Sequence, residues 1–348
     1  MTSLQHPDPT TFEPAVVLAA TVEENTVPRG MVHRAAVSEV FLTGAQRVAE
    51  GHFRCLAQLP RTHSYFSEHT HRDAHYDTLL LLEVFRQASI YVSHAFLDVS
   101  TSDKFIYLDS DTSIVEREAL VVGARPASAL IDVRVVGEYL RHGQRSGVTL
   151  DMTLSVNGRV AARHDGMSIR WMSDTAWNKI RTPALAASAL QHDPLAQSPA
   201  PLAPFQVGRH WLSNVVLGRE IVVEDGHLVA ALIVDQSNPA IFDHPLDHIP
   251  GMLLLEGFRQ LALVGAKRQL GLAPDELLLG RARVAFTRFG EFGLATQVRA
   301  NLDSLRVLDD GRVVVNLSVE QGGAQLAHAE VELQRLFQPL ALAAVGGA

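Results

Sequence analysis

One cysteine, Cys55, stands in 348 residues. A lone cysteine excludes an intramolecular disulfide and fits a reducing compartment. Basic charge is also in short supply: 30 Lys and Arg face 38 Asp and Glu, for a formal net charge of −8. Duplex nucleic acid is bound through a basic face that displaces counterions, so that class of partner is excluded. A local basic pocket for a phosphate is not. No apolar run approaches the roughly 20 residues that span a bilayer. The start, Met1-Thr2-Ser3-Leu4-Gln5-His6, lacks the basic and apolar regions of a signal peptide. The expectation is a soluble, cytoplasmic protein with no membrane and no nucleic-acid partner.

Apolar residues, by contrast, are plentiful at 47%, with 20% charged. The length suits two domains of about 150 residues, each able to bury a core. Self-comparison shows why. At a shift of 175, Val32, Arg34, Ser38, Val40 and Leu42 fall on Val207, Arg209, Ser213, Val215 and Leu217. At a shift of 173, Leu80-Leu81-Leu82-Glu83 falls on Leu253-Leu254-Leu255-Glu256, with Phe-Arg-Gln following in both. Between the copies, 182–204 is rich in Ala and Ser, carries five prolines and has no glycine. Proline at that density reads as an extended linker. The division is therefore an arm at 1–27, a first unit at 28–181, the linker at 182–204, a second unit at 205–338 and a tail at 339–348.

Both copies show the same order of signals. A strand pair comes first, 36–42 with 51–59 and 212–217 with 227–234, then a turn-rich loop, a long apolar helix and several alternating strands. Val148, Leu150, Met152, Leu154 and Val156 alternate with polar residues and end at Asn157-Gly158, a two-residue hairpin turn. Val313 to Val319 and Gly322-Gly323 repeat the pattern. The helix from Leu79 to about Phe96 is apolar on nearly every side, so something must wrap it. A long helix wrapped by a curved antiparallel sheet is the hotdog architecture. The fold class is α+β, with two tandem hotdog units forming a covalent pseudo-dimer.

Chemistry is concentrated in two places. Glu83, Arg86 and Gln87 share one helical face, as do Glu256, Arg259 and Gln260. On a surface helix such a set is an ordinary ion pair, but these are flanked by Leu, Val, Phe and Ala, and a buried charge is costly unless paired or used. Before the second helix stands Asp243-His244-Pro245-Leu246-Asp247-His248-Ile249-Pro250-Gly251. Hotdog dehydratases carry a catalytic His, a Pro-Gly and an acidic residue six positions after that Pro. Pro250 and Glu256 keep the last spacing, whereas His244 lies two residues closer to Pro250 than in that pattern.

A closer resemblance is to the A-factor biosynthesis (AfsA-type) family of γ-butyrolactone synthases. It rests on Val32-His33-Arg34, Glu39-Val40-Phe41-Leu42-Thr43, Leu59-Pro60-Arg61-Thr62-His63, Leu82-Glu83 with Arg86-Gln87, and 243–252 with Glu256 and Arg259-Gln260. The resemblance implies transfer of a β-ketoacyl group from an acyl carrier protein thioester to the hydroxyl of dihydroxyacetone phosphate. Closure to a phosphorylated butenolide can follow, on the way to a γ-butyrolactone, butenolide or furan signal. No metal or redox cofactor is required, and a homodimer is allowed rather than needed, because the duplication already supplies the hotdog pair.

The residues suit that chemistry. Glu256, desolvated and with its pKa raised, is the first candidate for the base, with His244 as alternative or cooperating base. Backbone N–H groups around Gly251 are placed for an oxyanion. Arg259 either holds the phosphate or keeps Glu256 ionised, and Gln260 and Asp243 are positioning or binding groups. Glu83, Arg86 and Gln87 form a second site, support the first across the pseudo-dimer, or are a relic, with joint support ranked first. The second signature carries the stake. Competing readings are a dehydratase or thioesterase on acyl thioesters and a non-catalytic binder of a lipid-like signal. Cys55 reads as core. His63, His69, His71 and His75 match no metal-ligand spacing. Arg61 and Arg209 read as phosphate contacts or, in the preferred reading, as solvated.

Overall fold

The computed structural model describes residues 24–68, 74–191 and 198–336. In the first unit, short 3-10 turns at Arg29–Val32 and Val37–Glu39 lead into β1 (Leu42–Ala49) and β2 (His52–Leu59). Helix α1 (Thr78–Phe96) follows, then β3 (Lys104–Ile114), β4 (Ala127–Arg141), β5 (Gln144–Val156) and β6 (Arg159–Met172). Helix α2 (Asp174–Gln191) leads out of that unit. The second unit repeats the plan: turns at Pro204–Val207 and Leu212–Asn214, then β7 (Leu217–Glu224), β8 (His227–Leu232) and α3 (Gly251–Leu270). It ends with β9 (Leu277–Phe286), β10 (Thr296–Asn301), the short β11 (Arg306–Val307), β12 (Val313–Gln321) and β13 (Ala324–Arg335).

The helices are buried almost all round because the strands curl about them. Leu79 to Leu82, Val84 and Phe85 on α1, and Leu253 to Leu255, Phe258 and Leu261 on α3, are all buried. One sheet wraps both, in the order β1-β2-β4-β5-β6-β3-β9-β13-β12-β10-β8-β7, with β11 beside β12. The seam between units is the antiparallel pair β3 and β9, with Asp109 opposite Ala285 and Ser113 opposite Arg281. Asp111 on β3 takes Arg281 at 2.5 Å and Arg283 at 3.0 Å from β9. The expected turns hold: Asn157 and Gly158 have φ of 51° and 77°, the two positive angles that a two-residue hairpin turn requires.

Three expectations are corrected. The strand expected at 36–42 begins only at Leu42, and that at 212–217 only at Leu217; the residues before them form the 3-10 turns. A glutamine reaching up from each helix takes the backbone groups there, as described below. Val27, assigned to the arm, is buried and donates its N–H to Leu42 O at 2.9 Å. Most clearly, 182–191 is not extended but continues α2, with Pro183 inside it. Proline removes one helix hydrogen bond, whereas Ala184, Ala186, Ala187 and Ala189 are the best helix formers. Trp177 and Arg181, both buried, anchor the preceding turns. Beyond it, 200–202 lies along β7, through Leu202 N–H to Leu217 O and Arg219 N–H to Ala200 O.

Candidate active site

Each helix carries a buried carboxylate locked by the same four-residue device. Glu83 is fully buried and is held by Arg34 at 2.6 Å and Arg86 at 2.8 Å. Gln87 donates to Glu83 Oε1 at 2.7 Å and to Glu39 O at 2.7 Å, and accepts from Phe41 N–H at 2.9 Å. In the second unit Glu256, also fully buried, takes Arg209 at 3.0 Å and Arg259 at 2.8 Å. Gln260 donates to Glu256 Oε1 and to Asn214 O, and accepts from Val216 N–H. Every member of one set is the repeat partner of a member of the other. The glutamines tie the helix to the turn before the first strand, so the device fixes the wrapping of each unit.

Burial and charge pull these carboxylates in opposite directions. Desolvation alone raises Glu83, but Arg34 and Arg86 outweigh it and hold the carboxyl at about 2. Desolvation likewise raises Glu256, and Arg209 and Arg259 bring it below the usual glutamate value. The expectation of a raised pKa on Glu256 is therefore corrected: two guanidinium groups within 3.0 Å outweigh the apolar surroundings. Arg209, expected to be solvated, is almost fully buried and is one of those two groups. Gln87 and Gln260, expected to bind substrate, are fully buried and spend their amides on the tie.

The two centres differ in what lies beside them. A cavity of about 950 Å³ opens next to the first, lined by Arg34 and Arg86 together with residues of the second unit's 241–252 loop. Arg86 uses Nε and Nη2 on Glu83 and Val32 O, while Nη1 makes no bond among the described residues. Lys104 and Arg29 add to this basic wall, and His33 lines the cavity beside them. Burial and the nearby His94, Arg86 and Lys104 push His33 down to about 4. The floor is apolar, with Leu82, Ile90, Tyr107, Leu255 and Phe286. Glu256, Arg259 and Gln260 do not line the cavity. Around that second centre, the Tyr65 ring covers Arg209 at 4.3 Å and Arg259 Nη1 meets Asp77 at 3.1 Å.

The loop between β8 and α3 is pinned on three sides. Asp243 accepts from Ala35 N–H at 2.6 Å and Ala36 N–H at 3.0 Å, which ties the loop to the first unit. Asp247 receives Trp177 Nε1–H at 3.0 Å, and Arg181 donates to Asp247 O at 2.6 Å, both from α2. Ile249 N–H reaches Gly290 O at 2.8 Å. This arrangement holds His244 at the cavity, with Nδ1 3.2 Å from Asp243 Oδ2 and the side chain 37% exposed. Asp243 itself is buried and does not line the cavity. Gly251 lines it as the first residue of α3, where the leading N–H groups of a helix have no intrahelical acceptor.

The structure thus brings His244, Asp243 and Gly251 of the second unit to Arg86 and Glu83 of the first. It leaves Glu256, Arg259 and Gln260 in a separate buried cluster. Arg34, Lys104 and Arg29 escaped sequence reasoning as site residues, although the repeat alignment of Arg34 with Arg209 was a usable signal. Of the histidines before α1, His69 and His71 lie outside the described residues. Among the described residues no group of three or more His, Cys, Asp or Glu is placed to hold a metal. None of the described helices is long and apolar enough to cross a membrane.

These charges fix how stability depends on pH. His33 falls from 6.5 to about 4 on folding, so the unfolded chain takes up that proton first and stability drops as pH falls from about 6.5 to about 4. Glu83 falls from 4.5 to about 2, so its contribution is complete above about 4.5 and is lost as pH falls toward 2. Urea midpoints at pH 7, 5.5, 4.5 and 3.5 are expected to decrease steadily. Equal midpoints across that range would contradict both ionisation states.

With this geometry in view, the comparisons with known proteins are informative. The family profile for the A-factor biosynthesis hotdog domain matches residues 19–171 and again 190–335. A relative from Streptomyces virginiae, named 2-oxo-3-(phosphooxy)propyl 3-oxoalkanoate synthase, is 41% identical over 239 residues, covering 68% of this chain and 76% of its own. One from Streptomyces griseus with the same name is 30% identical over 298 residues, 84% of this chain and 90% of its own. Among solved structures, a 12:0-ACP thioesterase from Umbellularia californica shows 10% identity and a TM-score of 0.46, covering 83% of this chain and all of its own (100%). Two profile matches, one on each unit, and relatives alike over most of their length show that this chain belongs to the A-factor biosynthesis hotdog family.

Proposed function

We propose that the cavity between the units transfers a 3-oxoacyl group from a thioester, delivered on an acyl carrier protein, to the hydroxyl of dihydroxyacetone phosphate. The observation that carries this is the composition of the cavity: a basic wall, an apolar floor and an Asp–His pair meet in one space. The basic wall of Arg34, Arg86 and Lys104 suits the phosphate, and the apolar floor suits the acyl chain. The relatives' shared name, a synthase of a phosphooxypropyl 3-oxoalkanoate, describes the ester such a transfer makes.

In this reading Asp243 receives Nδ1–H of His244, which leaves Nε2 to take the proton from the attacking hydroxyl. The hydroxyl oxygen bonds to the thioester carbon, and the carbonyl oxygen becomes an oxyanion. N–H groups of Gly251 and Met252 at the start of α3 face that charge. Collapse breaks the carbon–sulfur bond, and the imidazolium returns its proton to the departing thiolate. Asp243 orients the base and does not bind substrate. Glu83 is a positioning residue that aims Arg86.

The test is incubation with a 3-oxoacyl thioester and dihydroxyacetone phosphate, followed by mass spectrometry. Formation of the phosphorylated ester, with thiol release dependent on dihydroxyacetone phosphate, is expected. Thiol release at the same rate without it would replace this reading with a thioesterase.

A further inference from the structure

The two helix starts are counterparts in the internal repeat and share one N-cap backbone conformation, but their capping residues differ in charge. Thr78 opens α1 and Gly251 opens α3, a shift of 173, so their N-caps Asp77 and Pro250 are counterparts. Asp77 has φ −66° and ψ 137°, and Pro250 has φ −69° and ψ 145°. Across the pseudo-dimer, the start of α1 faces Arg259 and the start of α3 shares the cavity with Arg86. Arg259 Nη1 is occupied by the carboxylate of Asp77 at 3.1 Å, whereas Arg86 Nη1 has no partner among the described residues and the Pro250 side chain carries no acceptor.

We infer that Asp77 is a built-in anion that closes the twin site, and that Arg86 Nη1 binds the substrate's phosphate in the place that the Asp77 carboxylate takes beside Arg259. The first unit thus supplies its own plug to one of two sites related by the internal duplication. The other site has kept an uncharged cap, so its arginine stays open to a diffusible anion. Two further observations agree. Each arginine also pairs with the glutamate three residues before it, Arg86 with Glu83 through Nε and Nη2 and Arg259 with Glu256 through Nη2. Basic groups surround Arg86 in the cavity, and they help to hold His33 unprotonated. The inference deepens the proposed reaction and depends on it only for the identity of the anion.

The decisive variant transplants the plug. Pro250→Asp puts a carboxylate at a backbone conformation that Asp77 already occupies, and aspartate is a favoured N-cap, so folding is preserved. Pro250→Asn is its uncharged control. Binding of dihydroxyacetone phosphate and of inorganic phosphate is measured by calorimetry, which needs no turnover. The wild type and Pro250→Asn are expected to bind within a few-fold of each other. Pro250→Asp is expected to lose at least about 100-fold, as a fixed carboxylate against an anion should cause. Equal affinities in all three proteins, equal losses in both variants, or no anion binding by the wild type would overturn the inference. Should Pro250→Asp not fold, Arg86→Gln tests the same contact: unchanged phosphate affinity in that folded variant overturns the inference, and its loss supports it. A wild type that binds the anion competently yet forms no ester would refute the proposed reaction and leave the inference standing.

Discussion

Replacing His244 by Gln is expected to lower kcat by about 10²–10⁴-fold, the usual contribution of a general base. The imidazole lines the cavity and is held by a carboxylate, with Asp243 3.2 Å from Nδ1. The Asp243 carboxylate is itself fixed by the Ala35 and Ala36 N–H groups, so the ring is aimed by both units at once. Because His244 is 37% exposed, its replacement should leave the thermal midpoint nearly unchanged. A thiol-release assay at saturating substrates, paired with a melting curve, reads both quantities. Turnover within threefold of wild type would place the base elsewhere.

Glu256→Gln is expected to fail in the opposite manner. Removing one partner of a buried ion pair costs about 3–5 kcal/mol, because the other charge is left uncompensated. Here Arg209 is completely enclosed, and Asp77 alone would remain near Arg259. A large fall in the urea midpoint should therefore accompany near-normal kcat in the folded fraction. An unchanged midpoint with kcat down 100-fold would reinstate Glu256 as the base. Glu83→Gln belongs between these cases: it loses a similar buried pair and also releases Arg86 into the cavity, so the KM for dihydroxyacetone phosphate should rise as well.

Much of the fold was written in local pattern. The alternation from Val148 to Val156 and the Asn157-Gly158 turn fix a strand and its end, and they hold in β5 and the turn after it. The unbroken apolarity of Leu79 to Leu82 announces a wrapped helix, and the internal repeat announces two of them. What the pattern did not carry depends on partners distant in sequence. The pKa direction of Glu256 is set by Arg209, 47 residues earlier, and not by the leucines beside it. Proline counting between the units misjudged 182–191, where alanine propensity and the anchoring of Arg181 on Asp247 and Glu291 sustain a helix.

The site was half legible for the same reason. Glu83 and Glu256 read alike in sequence because their helices read alike. The difference lies in what each faces across the pseudo-dimer: Asp77 with Tyr65 on one side, Pro250 with an open cavity on the other. The loop of the second unit, on which the sequence placed the chemistry, does line the cavity. The helix signature whose Arg86 lines the same cavity belongs to the first unit.

The most direct measurement is the crystal structure of the protein with dihydroxyacetone phosphate bound. The account predicts one ligand per chain, with its phosphate on Arg86 and its hydroxyl toward His244, and with Arg259 still on Asp77. A ligand seated on Arg259 and Glu256, with the cavity beside Arg86 left empty, would contradict it.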